Sequence, residues 1–132
     1  MGLFNNLFTN TSDSDNKSKI NWIPLTENTQ LSELISKSTI KPALIFKHST
    51  RCGVSRMALK SFEKAYDLEE PILEMYYLDL LSYRNISNEI SLKLGVHHQS
   101  PQVLVVKNGE IVYEDSHYQI SFSKIKYVLG LK

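Results

Sequence analysis

The chain has 132 residues, 42% of them hydrophobic and 22% charged, enough for one domain with its own core and too few for two. Fifteen Lys and Arg against fourteen Asp and Glu leave a net charge of +1, which supplies no sustained field for a nucleic acid or an anionic membrane surface. No long apolar run and no secretory leader pattern is present, and the single cysteine excludes an internal disulfide, so a cytoplasmic protein in a reducing compartment is expected.

Residues 1–19 divide into a short apolar piece and a polar run from Thr9 to Lys19 with nothing to bury, and they are expected to form a disordered tail ahead of a domain over 20–132. Leu3, Phe4, Leu7 and Phe8 share a helical face to which no function is assigned. Asn21 to Leu25 reads as a short edge strand broken by Pro24, and Leu31, Leu34 and Ile35 mark a helix. Pro42 to Lys47 is a nearly continuous apolar run, the pattern of a strand covered on both sides. Val54, Met57, Ala58, Phe62, Ala65 and Tyr66 recur at helical spacing, and Ile72 to Leu80 is apolar on both alternating faces, which completes a parallel βαβ unit. Ile86, Ile90 and Leu94 mark a helix stopped by Gly95. Gln102 to Val106 and Glu110 to Tyr113 flank Asn108-Gly109 as a β-hairpin, and a last helix, capped by Ser121, should bury Phe122, Ile125, Val128 and Leu129. The order β-α-β-α-β-α-β-β-α describes an α/β domain with one central mixed sheet and helices on both faces, the thioredoxin-like order.

The lone cysteine stands in Phe46-Lys-His-Ser-Thr-Arg-Cys-Gly-Val-Ser-Arg56, at the first turn of the helix that follows the C-terminal end of a central strand. The helix dipole, unpaired first-turn N–H groups and Arg51, with Arg56 a turn further on, all favour an anion there, so a lowered thiol pKa is expected for Cys52. A free cysteine is commonly a small apolar filler, but Ser49, Thr50, Arg51, Gly53, Ser55 and Arg56 make a poor wall for a core. Ser55 occupies the place of a resolving cysteine in a C-x-x-C pair; its hydroxyl can donate to the thiolate but cannot form a disulfide, so the motif is monothiol. Ser100-Pro101 opens the fourth strand, where a cis peptide would leave neighbouring backbone groups free to pair with an extended substrate; a proline that simply starts a strand is the alternative.

These segments resemble the thioredoxin-like proteins and, within them, the monothiol bacilliredoxins of the bacillithiol system. The resemblance covers roughly Ile20 to Lys132 and rests on Lys47-His-Ser-Thr-Arg-Cys-Gly-Val-Ser55, Gly95-Val-His-His-Gln-Ser-Pro-Gln-Val-Leu104, Lys107-Asn-Gly-Glu110 and Ser116-His117 with Ile120 and Ser121. Members typically carry Thr-Cys-Pro at the active turn, whereas this chain has Arg51 and Gly53 around its cysteine. The resemblance implies removal of a low-molecular-weight thiol, bacillithiol or one like it, from mixed disulfides of S-thiolated client proteins, by a monomer without a tightly bound cofactor. Cys52 would be the nucleophile, with Thr50, Arg51, Gly53 and Ser55 stabilising its thiolate and Ser100, Pro101 and Gln102 holding substrate. His117, matching the late Ser-His pair, is a further candidate near the thiol, with a structural role equally open. Lys47 is another, lying upstream much as the thiol-binding lysine of monothiol glutaredoxins does.

Rival chemistries meet specific obstacles. His48, His97, His98 and His117 lack the spacing of a metal site, so no metal is expected. A phosphatase loop needs arginine where Ala58 stands, and a peroxidatic cysteine expects threonine where Ser49 stands. Cys-Gly-Val-Ser is close to the Cys-Gly-Phe-Ser of cluster-carrying monothiol glutaredoxins, but Lys107-Asn-Gly-Glu110 replaces their glutathione-gripping Gly-Gly-Asp-like turn. A non-enzymatic interaction module on the same scaffold is the third reading.

Overall fold

A computed structural model of the chain describes residues 19–131. The segment read as a disordered tail therefore lies outside the described residues except for Lys19, and Ile20 already belongs to the core. Five strands, β1 (Ile23–Pro24), β2 (Ala43–His48), β3 (Glu74–Asp79), β4 (Gln102–Lys107) and β5 (Glu110–Ser116), form one sheet in the order β1-β3-β2-β4-β5. Strands β1, β3 and β2 run parallel, while β4 is antiparallel to both β2 and β5. Four helices, α1 (Asn28–Lys37), α2 (Gly53–Ala65), α3 (Arg84–Leu94) and α4 (Phe122–Val128), cover the two faces, and a 3₁₀ turn over His117–Gln119 joins β5 to α4.

Strand alternation divides the core. Leu44 and Phe46 of β2 join Phe62 and Tyr66 on the α2 side and Phe122 and Ile125 of α4. Ala43 and Ile45 point the other way, into Leu31 and Leu34 of α1 and Ile86 and Ile90 of α3. With helices on both faces, every residue of β2 is buried, which accounts for its unbroken apolar sequence up to Phe46. Asn108 and Gly109 both adopt positive φ, 55° and 77°, as the tight turn between β4 and β5 demands. Gly95 closes α3 in the left-handed conformation. Ser121 caps α4 by accepting a hydrogen bond from the Lys124 amide.

Several residues expected inside are outside, Ala65 and Ile72 at element ends among them. Met57 is 65% exposed because the buried stripe of α2 runs through Ser55, Phe62 and the partly covered Ala58 and Leu59, and Met57 falls on the far side of that stripe. Val128 is 44% exposed, since α4 ends there and only Phe122 and Ile125 of the helix are fully covered. Among the described residues no helix is long and apolar enough to cross a membrane.

Candidate active site

Strand β2 ends at His48, and the chain turns through Ser49–Cys52, where the Cys52 amide donates to the Ser49 carbonyl at 3.1 Å. Cys52 is the N-cap of α2, with extended backbone (φ −99°, ψ 123°), and its carbonyl accepts the first helical bond from the Arg56 amide at 3.0 Å. Its thiol is free and half-buried. The Cys52 side chain makes no cap hydrogen bond, so its sulfur stands at the positive end of the helix without a first-turn amide as partner.

The neighbours divide differently from the expectation. Arg51 and Thr50 are exposed beside the thiol, and the Thr50 carbonyl accepts from Arg56 Nη1 at 3.1 Å. Gly53, also exposed, opens the helix; a Cβ there would meet only Arg56 Nη2, at 3.9 Å. Ser55 does not serve the thiol. It is fully buried, its Oγ accepts from the Ser49 amide at 3.0 Å, and it shares a 2.7 Å hydrogen bond with His48 Nδ1. Burial holds the His48 imidazole below its usual pKa against the opposing charge of Asp79, so the ring stays neutral at pH 7. His48 thus pins the cysteine turn through Ser55.

Gln102 pairs with Lys47 in the β2–β4 register, so Pro101 lies level with the end of β2, where the cysteine turn begins. The Ser100–Pro101 peptide is cis. The Pro101 carbonyl is already taken by the His117 amide at 3.0 Å, whereas the backbone N–H and C=O of Ser100 have no hydrogen-bond partner among the described residues. Ser100 is therefore the residue of this segment that can receive an extended chain. His117 itself is exposed with φ 56°, and with Met57, Ala58, Ser61, Tyr118 and Ile120 it lines a cavity of about 120 Å³ one turn along α2 from Cys52.

Two candidates prove to be interior braces. Gln102, expected to touch substrate, is fully buried with its amide saturated: Oε1 accepts from Lys47 Nζ (2.8 Å) and the Gln99 amide (3.3 Å), and Nε2 donates to the His97 carbonyl and Glu114 Oε2 (both 2.9 Å). It ties down the loop that ends at Pro101. Lys47 shares the sheet face of Ala43 and Ile45, turned away from α2, and is completely buried, with Nζ 2.8 Å from His98 Nδ1 as well as from Gln102. It is not available to hold a small thiol beside Cys52. Burial, assisted by the charge of Arg84 and opposed by Glu114, lowers its pKa to about 8. A groove of about 540 Å³, lined by His48, Gly53, Arg56, Met57, Leu59 and Lys60, runs beside the first turns of α2.

This arrangement has close counterparts. A solved structure assigned as an oxidoreductase with a thioredoxin fold is 31% identical, the match covering 82% of this chain and 93% of that one with a TM-score of 0.70. The thioredoxin of Malassezia sympodialis superposes with a TM-score of 0.63 at 19% identity, covering 86% of this chain and 90% of that one. The thioredoxin of Fasciola hepatica does so with a TM-score of 0.61 at 18% identity, over 83% and 98% respectively. At those identities the two thioredoxins establish the fold alone. The oxidoreductase relative extends the likeness to redox chemistry, with a free cysteine at the strand-to-helix turn to carry it. The family model for the monothiol bacilliredoxin BrxC matches residues 23–125, taking in the cysteine turn, the cis-proline loop and all five strands, and the chain belongs to that family.

Proposed function

We propose that the protein is a monothiol thiol-disulfide oxidoreductase of the cytoplasm that strips a low-molecular-weight thiol, bacillithiol, from mixed disulfides of client proteins. The observation that carries this reading is a free, half-buried thiol at the N-cap of α2, in the turn that follows β2, whose end lies level with the cis Ser100–Pro101 peptide. The Cys52 thiolate attacks the small-thiol sulfur of the mixed disulfide; the new S–S bond joins Cys52 to the small thiol, and the client leaves as its own thiolate. A second small thiol then attacks the adduct, forming a free disulfide and returning Cys52. No second cysteine exists in the chain, and Ser55 is held by His48 and Ser49, so resolution comes from solution. Ser100 supports the client backbone, and the protein acts as a monomer with no resident cofactor.

The test follows a client protein carrying bacillithiol on a single cysteine. Reduced protein should release the client thiol and gain the mass of one bacillithiol on Cys52, and Cys52→Ser should do neither. Client release without any adduct on Cys52 would refute the mechanism.

A further inference from the structure

Trp22 ties the start of the domain to α2. Its indole donates to Glu63 Oε2 at 2.7 Å and its ring lies 6.3 Å from that of Phe62, while Ile20 belongs to the core cluster that holds Phe62 and Tyr66. The chain ahead of Lys19 is thus tethered beside this helix. Arg56, Lys60 and Glu63 follow at i, i+4 and i+7 and share one of its faces. The 540 Å³ groove has Arg56 and Lys60 in its lining, so it opens on the face that Trp22 reaches, about one turn nearer the start of α2. Its lining describes the occupant. Met57, 65% exposed, and Leu59 offer apolar surface, and Gly53 adds no side chain to fill the space. Arg56 and Lys60 are its cations, and neither is in an ion pair among the described residues, which join Lys41 to Glu74, Lys124 to Asp115 and Lys126 to Asp67. An occupant with apolar side chains followed by carboxylates meets both demands. The sequence holds one that the exchange chemistry does not use: Leu3, Phe4, Leu7 and Phe8 share a face at helical spacing, and Asp13 and Asp15 are the only carboxylates before Glu27.

We infer that this groove is the docking site of the chain's own N-terminal segment, with Leu3, Phe4, Leu7 and Phe8 on Met57 and Leu59, and Asp13 and Asp15 toward Arg56 and Lys60. The order along the chain agrees: the carboxylates lie between the apolar residues and Lys19, as Lys60 lies between Met57 and the Glu63 contact of Trp22. The lengths agree as well. Six residues at helical rise, Leu3 to Phe8, cover about 9 Å, against about 10 Å along α2 from Gly53 to Lys60. The ten residues that follow, 9–18, would have an r.m.s. span of about 17 Å as free chain, more than the roughly 9 Å along the helix from Glu63 to Met57. Because the segment is tethered, its effective concentration at the groove is high and modest contacts suffice, thioether-on-ring contacts of Met57 with Phe4 and Phe8 among them. The inference stands apart from the exchange reaction, since neither the groove nor the segment contains the thiol.

The test follows Met57 in the full chain, every protein carrying Cys52→Ser so that peroxide meets no thiol. Oxidation of Met57 to the sulfoxide by dilute hydrogen peroxide is read by peptide mapping, and its ¹³C-labelled methyl group by NMR. A segment docked nine-tenths of the time slows the oxidation about tenfold, and Leu3→Ser/Phe4→Ser/Leu7→Ser/Phe8→Ser should remove that protection. The same variant should shift the Met57 methyl resonance by loss of the Phe4 and Phe8 ring currents, while Met75, 4% exposed in the core, should not move. Asp13→Asn/Asp15→Asn should speed the oxidation about twofold to threefold, the worth of two exposed charge contacts, and raised salt should do the same to the wild type. Equal oxidation and an unmoved Met57 methyl in the wild type and the fourfold variant overturn the inference. Protection that grows with protein concentration gives the groove to a second copy and overturns it too. So does protection that the wild type loses on adding vesicles of phosphatidylcholine and phosphatidylglycerol while the segment binds them, since the segment then prefers a lipid surface.

Discussion

Lys47→Met is the most informative single change, because it separates the stability of the fold from the chemistry of the site. Lys47 is buried with neutral acceptors at Gln102 and His98, and its pKa falls to about 8 from an ordinary 10.5. Below pH 8 the lysine is protonated in both folded and unfolded chains, and the folded state bears the whole cost of the buried ammonium. Between pH 8 and 10.5 the folded chain has released a proton that the unfolded chain still binds, so stability rises with pH. At 1.36 kcal/mol per unit, the penalty is about 3 kcal/mol at pH 7 and shrinks by about 2 kcal/mol by pH 9.5. Methionine removes the charge at similar volume. It leaves Gln102 Oε1 with the Gln99 amide and His98 Nδ1 with Ser87 Oγ, so neither acceptor is orphaned. The variant should therefore be more stable at pH 7 by about 1–3 kcal/mol, and the advantage should shrink by pH 9.5. Urea unfolding followed by the single tryptophan, Trp22, measures this, both proteins carrying Cys52→Ser so that the thiol does not titrate. The buried tyrosines titrate higher, are common to both proteins, and cancel in the difference. A difference that stays constant from pH 7 to 9.5, or a variant less stable throughout, would refute the claim that Lys47 is a charged, destabilising brace.

Cys52→Ser should abolish release of a small thiol from a client while changing unfolding free energy by less than about 1 kcal/mol, since the half-buried Sγ makes no hydrogen bond to lose. Ser55→Ala strands both His48 Nδ1 and the Ser49 amide in the interior and should cost about 1–3 kcal/mol in urea unfolding; an unchanged midpoint would mean that the serine does not hold the turn. Gln102→Leu removes the acceptor of a buried ammonium and the donor to the His97 carbonyl, and should cost at least about 3 kcal/mol. Adding Lys47→Met to it should recover part of that loss, the coupling being read from a double-mutant cycle.

The alternation of strands and helices was legible in the sequence because each element is short and its apolar pattern is unmixed: β2 is covered on both faces, and α1 and α3 each bury a narrow stripe. The roles of polar residues were not, because they depend on which face of the sheet each one joins and on partners far along the chain. Lys47 and Gln102 are 55 residues apart, and only the antiparallel register of β2 with β4 lets each satisfy the other. Read locally, a lysine just upstream of the cysteine and a glutamine after the proline both look like groups facing a ligand. Counting alternation along β2 would have separated them: Lys47 has the parity of Ala43 and Ile45 and faces α1 and α3, while His48 has that of Leu44 and Phe46 and faces the helix that carries the thiol. The same count identifies Ser55, the buried polar residue in the first turn of α2, as the natural partner of His48. The last two residues of β2 thus support the site from opposite faces of the sheet. His48 fixes the cysteine turn through Ser55, and Lys47 fixes the proline loop through Gln102 and His98. A strand that is apolar until its final two residues, and then polar on both faces, positions the cysteine turn and the cis-proline loop together. That is why these two polar side chains are tolerated in an otherwise apolar strand at a cost in stability.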